Sequence, residues 1–324
     1  MIQSKTNDEP LVSVVLVNWN RSVDILDNIR SLRRQTWKNL EIIVVDNGST
    51  DGSLPALRIV DDIRLIELGQ NYGPARGRNE GVRAAAGEFI LLLDSDSYIG
   101  RTGIEKLVAR MQSDPMLGII GCRVLNWYSG DIDQWFYPYA YEQMGDQEFE
   151  TYSFSAAGAL LRTQAVREAG GFWDELFIYN EEVDLSIGVF RAGYHIIYLP
   201  NVPVFHRASP EGRTPSKRYF HYQIRNWIWI LYKHYPFWPR VSRISLLSAA
   251  YLVKGMRAGQ LPAAVGGIVA GVGGTRWIKH YDAKLRIDQV HKLSALNKRW
   301  RIRKDGQSKS RLTTTAPQPT SKAR

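Results

Sequence analysis

The stretch Phe89-Ile90-Leu91-Leu92-Leu93-Asp94-Ser95-Asp96 joins five consecutive apolar residues to two acids that a single serine separates. Such a run predicts a strand buried on both faces, as in a parallel sheet. Asp94 and Asp96 would then lie at its carboxyl end, where open α/β sheets bind their ligands. Two carboxylates this close suit a divalent cation that keeps positions open for phosphate oxygens. An ordinary turn after a strand is the alternative, because Asp and Ser are common in turns.

Three further apolar runs precede this strand, and polar residues follow each of them. The runs are Leu11–Val17, Glu41–Val45 and Ile63–Leu68. A helix with apolar residues at helical spacing is predicted from Ser22. Strands thus alternate with helices four times within the first 96 residues. This pattern predicts an α/β fold with a doubly wound, mostly parallel sheet flanked by helices.

The polar residues after these strands are candidates for ligand binding. Asp46 ends the second run and precedes a turn-rich loop, so it could hold a ribose or the edge of a base. Capping of the next helix is the alternative. After the third run, Pro74 suits the first turn of a helix, where Arg76 and Arg78 could face phosphates. Surface arginines on a solvated helix are the alternative there.

Four segments together resemble the family-2 glycosyltransferases in their order and spacing: Val12–Asn20, Glu41–Gly52, Asn71–Gly81 and Leu91–Asp96. Those enzymes have the nucleotide-sugar-binding fold called GT-A, and the resemblance implies the same fold here. No G-x-G-x-x-G sequence follows the first strand, which disfavours a dinucleotide-binding Rossmann domain.

The resemblance also implies roles for individual residues. It places Asp46 at the nucleotide base, Asp94 near the ribose, and Asp96 on a divalent metal, Mg²⁺ or Mn²⁺, that binds the diphosphate. His206 follows a later strand, at the place where several members carry a metal-ligating histidine; a packed or surface histidine is the alternative. The other residues implied to bind the donor are Asn18, Asn71, Gly73 and Arg78.

The segment Gly170–Leu185 resembles the second half of the site in a rhamnosyltransferase-like branch of the family. Sugar transfer to a hydroxyl group needs a base, and the adjacent Glu181 and Glu182 point in different directions from a helix start. The resemblance places the base at Glu182, although most relatives carry the shorter Asp there. Stabilisation of a helix N-terminus is the alternative role of these acids. Four residues are assigned to the acceptor side: Gly158, Trp173, Asp174 and Asp184.

The region Asn126–Glu150 is long, acidic and rich in aromatic residues. Loops of this length are usually functional or mobile, and the faces of aromatic rings suit sugar rings. We therefore expect it to bind the acceptor or to act as a lid, with core packing as the alternative for some of the rings.

The composition is that of a folded globular protein, with 44% hydrophobic and 23% charged residues in a chain of 324. The single cysteine, Cys122, excludes an internal disulfide and fits a reducing compartment. Met1–Pro10 is polar and lacks the apolar core of a secretory signal. The chain has no uninterrupted run of about 18 apolar residues, so a simple transmembrane helix is not predicted.

The net charge of +10 is concentrated at the C-terminal end. From Arg276 to Arg324 there are 14 Lys and Arg and 3 Asp, a balance of +11, so the preceding residues sum to about −1. The aromatic, basic stretch Tyr219–Trp238 is typical of helices in a membrane interface. Together these features predict association with an anionic membrane surface. Packing of these helices on the catalytic core, or on a second protomer of a homo-oligomer, is the alternative.

We expect four segments: a flexible N-terminus over residues 1–10, a GT-A catalytic domain over 11–212, a helical membrane-associating region over 213–303, and a disordered basic tail over 304–324. The predicted function is inverting transfer of a sugar from a UDP- or dTDP-linked donor, dTDP-rhamnose included, to a glycan or lipid-linked acceptor of a bacterial surface polysaccharide. The predicted location is cytoplasmic, peripheral on the inner face of the cell membrane.

Two other functions are the alternatives. One is a nucleotidyltransferase that makes the sugar nucleotide; such enzymes usually have a glycine-rich loop after the first strand, where Asn18-Trp19-Asn20 stands here. The other is a non-catalytic nucleic-acid-binding protein. The near-neutral body and the lack of a zinc-finger or RNA-recognition motif disfavour it, so no nucleic-acid partner is expected.

Overall fold

The computed structural model describes residues 9–207, 216–278, 281 and 283–298. The predicted disordered tail over 304–324 lies outside these residues, as do the first eight residues of the predicted flexible N-terminus.

Nine strands form one twisted sheet in the described part of the chain. They are β1 (Val12–Asn18), β2 (Leu40–Asp46), β3 (Ile63–Glu67), β4 (Phe89–Asp94), β5 (Ser97–Ile99), β6 (Leu117–Asn126), β7 (Phe149–Thr151), β8 (Gly158–Arg162) and β9 (His195–His206). Their spatial order is β3-β2-β1-β4-β8-β6-β9-β5, and β7 pairs with β9.

The first four strands in the chain form the parallel part of this sheet. β1 pairs in parallel with β2 and β4, and β2 pairs with β3. Beyond β4 the sheet is mixed: β8 runs antiparallel to β4 and β6, while β6 and β9 are parallel. The alternation of strands and helices predicts the parallel half, because crossover helices connect those strands. The antiparallel pairings join strands that are distant in sequence.

Eleven α-helices accompany the strands within the described residues. They are α1 (Ser22–Leu32), α2 (Ser53–Arg58), α3 (Gly73–Ala84), α4 (Gly103–Gln112), α5 (Tyr141–Met144), α6 (Thr163–Ala169), α7 (Glu181–Arg191), α8 (Ser216–His234), α9 (Phe237–Arg257), α10 (Leu261–Ile278) and α11 (Ile287–Lys298). A short 3-10 helix, Asp174–Leu176, precedes α7.

The sheet is covered on both faces, as a doubly wound fold requires. Alternate residues of the strands point to opposite faces, so that Leu91 belongs to one core and Leu92 to the other. The first core includes residues of α1, α2 and α4, and the second includes residues of α3, α6 and α7. The carboxyl ends of β1, β2 and β4 meet at one edge between these layers.

Two strands in the mixed part of the sheet have notable bounds. Strand β8 begins only at Gly158, and β9 continues through Pro200 as a single strand. Strand β9 passes Pro200 by shifting its register against β6 between Cys122 and Arg123. A proline cannot donate to a ladder, so an irregularity there is expected.

Helix α8 joins the sheet region to the remaining C-terminal helices. Glycines of α10 let it approach α8 closely: a Cβ atom added at Gly267 would lie 2.7 Å from the carbonyl oxygen of His221. Trp229 of α8 donates a hydrogen bond from Nε1 to the carbonyl of Gly271 at 3.0 Å. The aromatic stretch of α8 is thus partly core, as the packing alternative anticipates. Among the helices described, none is both long and apolar enough to cross a membrane.

Candidate active site

A cavity of about 790 Å³ opens at the carboxyl ends of the parallel strands. Its walls come from the loops after β1, β2, β3 and β4, from the start of α7, and from α8. Ligands of open α/β sheets bind at this edge. The predicted site residues that line it are Asn71, Arg78, Asp94, Asp96, Glu181, Glu182 and His206.

Asp94, Asp96 and His206 form a cluster on one side of this cavity. One ligand atom from each lies within 4.8 Å of the others, and His206 Nε2 is 3.2 Å from Asp96 Oδ1. The sheet explains the meeting, because β5 pairs with β9 so that Ser97 stands opposite His206. Two carboxylates and an imidazole are a ligand set that could hold a divalent metal ion.

Two residues outside the sequence motifs hold this cluster in place. His206 Nδ1 lies 2.8 Å from Asp133 Oδ2, so the ring is oriented by a carboxylate behind it. Asn28 is fully buried on α1 and donates from Nδ2 to the carbonyls of Asp94 and Ser97, at 3.1 and 2.8 Å. A buried metal-ligating histidine usually has such an outer partner. The role of Asn28 could be anticipated from the sequence, because it is a polar residue on the apolar face of α1. No feature of the sequence indicates the role of Asp133.

The charges of the cluster are strongly coupled. Burial disfavours a charged imidazole, but the hydrogen bond to Asp96 and the charges of Asp94 and Asp96 outweigh it and raise the pKa of His206 to about 9. Burial opposes ionisation of Asp96 as well, yet the hydrogen bond and charge of His206 lower the pKa of that carboxyl. The site therefore favours a bound cation, whether a proton on the ring or a metal ion.

Asp46 and Asn18 are packed behind the cavity wall. Asn18 Nδ2 donates to Asp46 Oδ1 at 3.0 Å, and the backbone N–H of Ser49 donates to Asp46 Oδ2 at 3.0 Å. Both side chains are buried, while their neighbours Val17 and Asn47 line the cavity. The hydrogen-bonded pair of Asn18 and Asp46 holds in place the loop that is expected to contact the nucleotide base.

Asn71 and Gly73 shape the opposite wall. The Asn71 side chain accepts a hydrogen bond from the Gly73 N–H at 2.8 Å and lines the cavity. Gly73 has φ +84, and a Cβ atom there would lie 2.2 Å from the carbonyl oxygen of Phe177. Only glycine allows both the left-handed backbone and this approach.

Arg78 connects α3 to both groups of acids. Its guanidinium lies 2.8 Å from Glu181 Oε1, 3.2 Å from Asp94 Oδ1 and 3.8 Å from Glu182 Oε1. Burial opposes its charge, but the carboxylates of Glu182, Asp94 and Glu181 outweigh this and hold the pKa of Arg78 above its ordinary value. The positive charge of Arg78 thus lies between the Asp94–Asp96–His206 cluster and the two glutamates.

The two adjacent glutamates have different environments. Glu181 is buried against Arg78, and its Oε2 atom has no hydrogen-bond partner. Burial and the neighbouring Glu182 raise the pKa of Glu181, against the pull of Arg78. Glu182 keeps 22% of its side chain exposed and faces the cavity. Both glutamates line the cavity, but Glu182 is the more accessible of the two to a ligand.

The four residues expected on the acceptor side do not line this cavity. Gly158 packs against Val204, where a Cβ atom would lie 2.7 Å from Val204 Cγ2. Trp173 is buried among Trp229, Trp277 and Tyr281. Both residues lie behind the cavity wall, and their assignment to the acceptor side stays a prediction.

The two acids of this set, Asp174 and Asp184, are engaged in ion pairs. Asp174 accepts hydrogen bonds from Arg76, at 2.9 Å, and from Asn79. Asp184 lies 2.8 Å from Lys233 Nζ and 2.7 Å from His234 Nε2, both on α8. Burial would raise the pKa of Asp184, but Lys233 and His234 outweigh it and lower that pKa. Asp184 therefore connects α7 to the C-terminal helices.

The loop before α7 lines the cavity in a backbone conformation that non-glycine residues rarely adopt. Phe177, Tyr179 and Asn180 have φ of 64, 70 and 65. Asn226, fully buried on α8, donates from Nδ2 to the carbonyls of Leu176, Ile178 and Tyr179 at 3.0, 2.8 and 2.8 Å. Such strained segments persist only where their surroundings determine them. Helix α8 thus holds the segment that leads to the two glutamates.

The aromatic region between β6 and β7 is mainly a packed cluster. Trp135, Tyr137 and Phe149 contact one another and Tyr198 of β9, with ring centroids 4.9 to 6.2 Å apart. Only Phe136 and Gln134 of residues 126–150 line the cavity. Core packing therefore accounts for most of these rings, and the expected ligand contact is reduced to Phe136.

A mixed sheet with an acidic cluster at the ends of its parallel strands is typical of GT-A folds, and solved structures agree. A mannosyltransferase from Pyrobaculum calidifontis, determined with GDP-Man and Mn²⁺, is similar with a TM-score of 0.55 and 20% identity, over 91% of this chain and 83% of that one. The protein has the GT-A fold. Residues 13–170 match the family described as glycosyl transferase family 2, and these residues form a domain of that family.

Curated relatives include enzymes with lipid-linked acceptors in their names. The chain is 35% identical to the UDP-Glc:alpha-D-GlcNAc-diphosphoundecaprenol beta-1,3-glucosyltransferase WfaP of Escherichia coli, over 32% of this chain and 42% of the relative. It is 23% identical to the N-acetylglucosaminyl-diphospho-decaprenol L-rhamnosyltransferase of Mycobacterium tuberculosis, over 73% of this chain and 89% of the relative. The matches span about two fifths of the length of several other relatives, 40 to 43%.

Proposed function

We propose that the protein transfers one sugar from a nucleoside diphosphate sugar to a hydroxyl group of a lipid-linked acceptor, with inversion at the anomeric carbon. The observation that carries this proposal is the cavity itself, whose wall holds both the Asp94–Asp96–His206 cluster and the accessible Glu182. One group can hold a diphosphate through a metal ion, and the other can accept a proton. UDP- or dTDP-linked donors, including dTDP-rhamnose, are the proposed class, and the rhamnosyltransferase among the relatives supports rhamnose.

The proposed cofactor is Mg²⁺ or Mn²⁺. Asp94, Asp96 and His206 would hold it, since oxygen ligands together with one imidazole suit these ions. When bound, the metal would neutralise the negative charge that develops on the leaving diphosphate. The presence of Mn²⁺ in the similar mannosyltransferase structure supports this assignment.

In the proposed reaction the acceptor hydroxyl oxygen forms a bond to the anomeric carbon as Glu182 takes the hydroxyl proton. The bond between that carbon and the diphosphate oxygen breaks, and its electrons leave with the diphosphate. Arg78 places a fixed positive charge between Asp94 and the glutamates. Glu181 would remain paired with Arg78 behind the base, so that Glu182 alone faces the acceptor.

The acceptor and the cellular location are proposed from the relatives and from the surface of the C-terminal helices. Two relatives are named for acceptors that carry polyprenyl diphosphates. Helices α9 and α10 contain no Asp or Glu and expose large apolar side chains, with Trp238 at 77% and Val269 at 66%. Apolar residues beside basic ones suit an anionic membrane interface. We therefore place the protein on the cytoplasmic face of a membrane, in the synthesis of a surface polysaccharide.

A panel of nucleoside diphosphate sugars tests this function. Donor binding and hydrolysis are measured with Mn²⁺ or Mg²⁺, and again with a chelator, for the wild type and for Asp96→Ala. We expect metal-dependent binding of one donor, lost in the variant. Glu142→Ala, which removes an exposed acid away from the cavity, is the matched control. Absence of donor binding in a folded wild-type sample would contradict the proposal.

A further inference from the structure

A second, largely apolar cavity of about 350 Å³ lies between α7, α8, α9 and α11. Its inner surface includes Ile187 of α7, Leu231 of α8, Leu247 of α9 and Leu293 of α11. Ligand-binding cavities are typically apolar with a few polar groups, and here the polar groups belong to Arg243, Ser294 and the tyrosines Tyr152 and Tyr235. Sugars and nucleotides do not suit such walls, whereas a hydrocarbon chain does.

This cavity adjoins the catalytic cavity. Tyr152, Val183 and Trp227 line both of them. Val183 directly follows Glu182, the proposed base. Glu182 lines the catalytic cavity, and Val183 lines both that cavity and the apolar one. A ligand whose reacting hydroxyl meets Glu182 would therefore have apolar walls within reach of its far end.

The apolar cavity also leads toward the exposed face of α9. Leu246 lines it and is 72% exposed. Arg243, beside Leu246 on the same helix, donates to Ser294 Oγ at 2.6 Å and lies over the ring of Tyr235 at 4.9 Å. A cation is thus held at the wall of an otherwise apolar space, which complements an amphiphile that carries negative charge.

We propose that this second cavity binds the first part of the hydrocarbon chain of an isoprenyl diphosphate-linked acceptor. The inference rests on the proposed function, because it names the part of the acceptor that the catalytic cavity does not accommodate. The wall that the two cavities share, the apolar lining and the cation at the wall all favour this occupant. The more distal chain would extend past Leu246 toward the membrane.

Calorimetric titration of the full chain tests the assignment with two probes, farnesyl diphosphate and inorganic diphosphate. UDP and Mg²⁺ are present, so that the donor position is occupied. We expect farnesyl diphosphate to bind at least about tenfold more tightly, because its chain leaves water. Leu247→Trp fills the cavity and should abolish this preference. Val253→Trp, on the exposed surface of the same helix and outside both cavities, should retain it.

Ser294→Trp is the second test variant, because it narrows the cavity from a half-buried position and spares the core. Equal affinity of the wild type for the two probes would overturn the proposal. So would an unchanged preference in both filled variants, once circular dichroism shows that they are folded. UDP titrations of the same samples report the donor site separately. A chain preference without sugar transfer would thus contradict the proposed function and leave the cavity assignment standing.

Discussion

The sheet region, β1 to β9, and the C-terminal helices, α8 to α11, differ in the charged and apolar residues that they contain. In the sheet region acids gather at strand ends, and Arg78 and His206 balance their charge. In α8, α9 and α10 there is no acid at all, and nine Lys and Arg stand among aromatic and aliphatic side chains. The first arrangement concentrates reactive polar groups, and the second suits an anionic, apolar surface.

The two regions nevertheless share one wall. Arg218, Gln223 and Trp227 of α8 line the catalytic cavity together with residues of the sheet region. Asn226 holds the loop that leads to α7, and Asp184 pairs with α8. The composition of the chain changes near residue 212, at the expected boundary, but residues from both sides of that boundary line the catalytic cavity.

The largest effect is expected from a change of the proposed base, Glu182, which lies where the two regions meet. Glu182→Gln should lower kcat by between about 100- and 10,000-fold, because general base catalysis contributes that much. Donor binding should change little, since the cluster that would hold the metal is intact. The measurement is initial rates of transfer together with donor titration. Glu142→Gln, an exposed change on α5, is the matched control. Full activity in Glu182→Gln would remove Glu182 from the proposed role.

The junction between the regions is tested by Asp184→Ala. The substitution leaves the buried His234 and the partly buried Lys233 without their carboxylate partner, so the free energy of unfolding should fall by about 3 to 5 kcal/mol. Urea denaturation followed by circular dichroism measures this. Glu142→Ala should change stability by less than about 0.5 kcal/mol. A similarly small loss in Asp184→Ala would mean that the two regions are not coupled through this pair.

The outer support of the cluster is tested by Asp133→Asn. Loss of the carboxylate behind His206 should weaken Mn²⁺ binding by about 10- to 100-fold, since outer partners of metal-ligating histidines have effects of this size. Calorimetric titration of Mn²⁺ in the presence of UDP gives the affinity. Asp131→Asn, two residues away and exposed, serves as the control. Equal affinities in the two variants would assign Asp133 a purely structural position.

The surface difference between the regions is tested with two double variants. Trp238→Ser with Val269→Ser removes exposed apolar side chains from α9 and α10, and should reduce binding to phosphatidylglycerol vesicles by about tenfold. Val23→Ser with Ile59→Ser removes comparably exposed side chains from the sheet region and should have no effect. Sedimentation with vesicles measures both. If the two pairs behave alike, the helices have no special affinity for the membrane.

The sequence predicts the sheet region well, because an apolar run that ends in acids indicates a buried strand with polar residues at its carboxyl end. The strand at Phe89 and the meeting of Asp94 with Asp96 follow from such a run alone. The proximity of His206 follows only from the family resemblance, since its pairing opposite Ser97 joins distant strands.

Other features depend on contacts that no local pattern specifies. Asn226 bonds to carbonyls about 50 residues away, and Asp133 meets a histidine 73 residues later. Asp184 and Trp173 stand beside recognisable motif residues, yet they face the helices, because the direction of a side chain depends on the helix packed against it. The aromatic and basic composition of α8 is likewise ambiguous, because some of its aromatic side chains are buried and others are on the surface.

The three hydrogen bonds from Asn226 also bear on how such enzymes can be recombined. A chimera joined between β9 and α8 would part this amide from the carbonyls that it satisfies, and would leave a strained loop to a foreign helix. A junction beyond His234 would keep α8 with the sheet and preserve these hydrogen bonds, but it would cut through the close packing of α10 on α8. The sheet region and the C-terminal helices are therefore inherited as one unit.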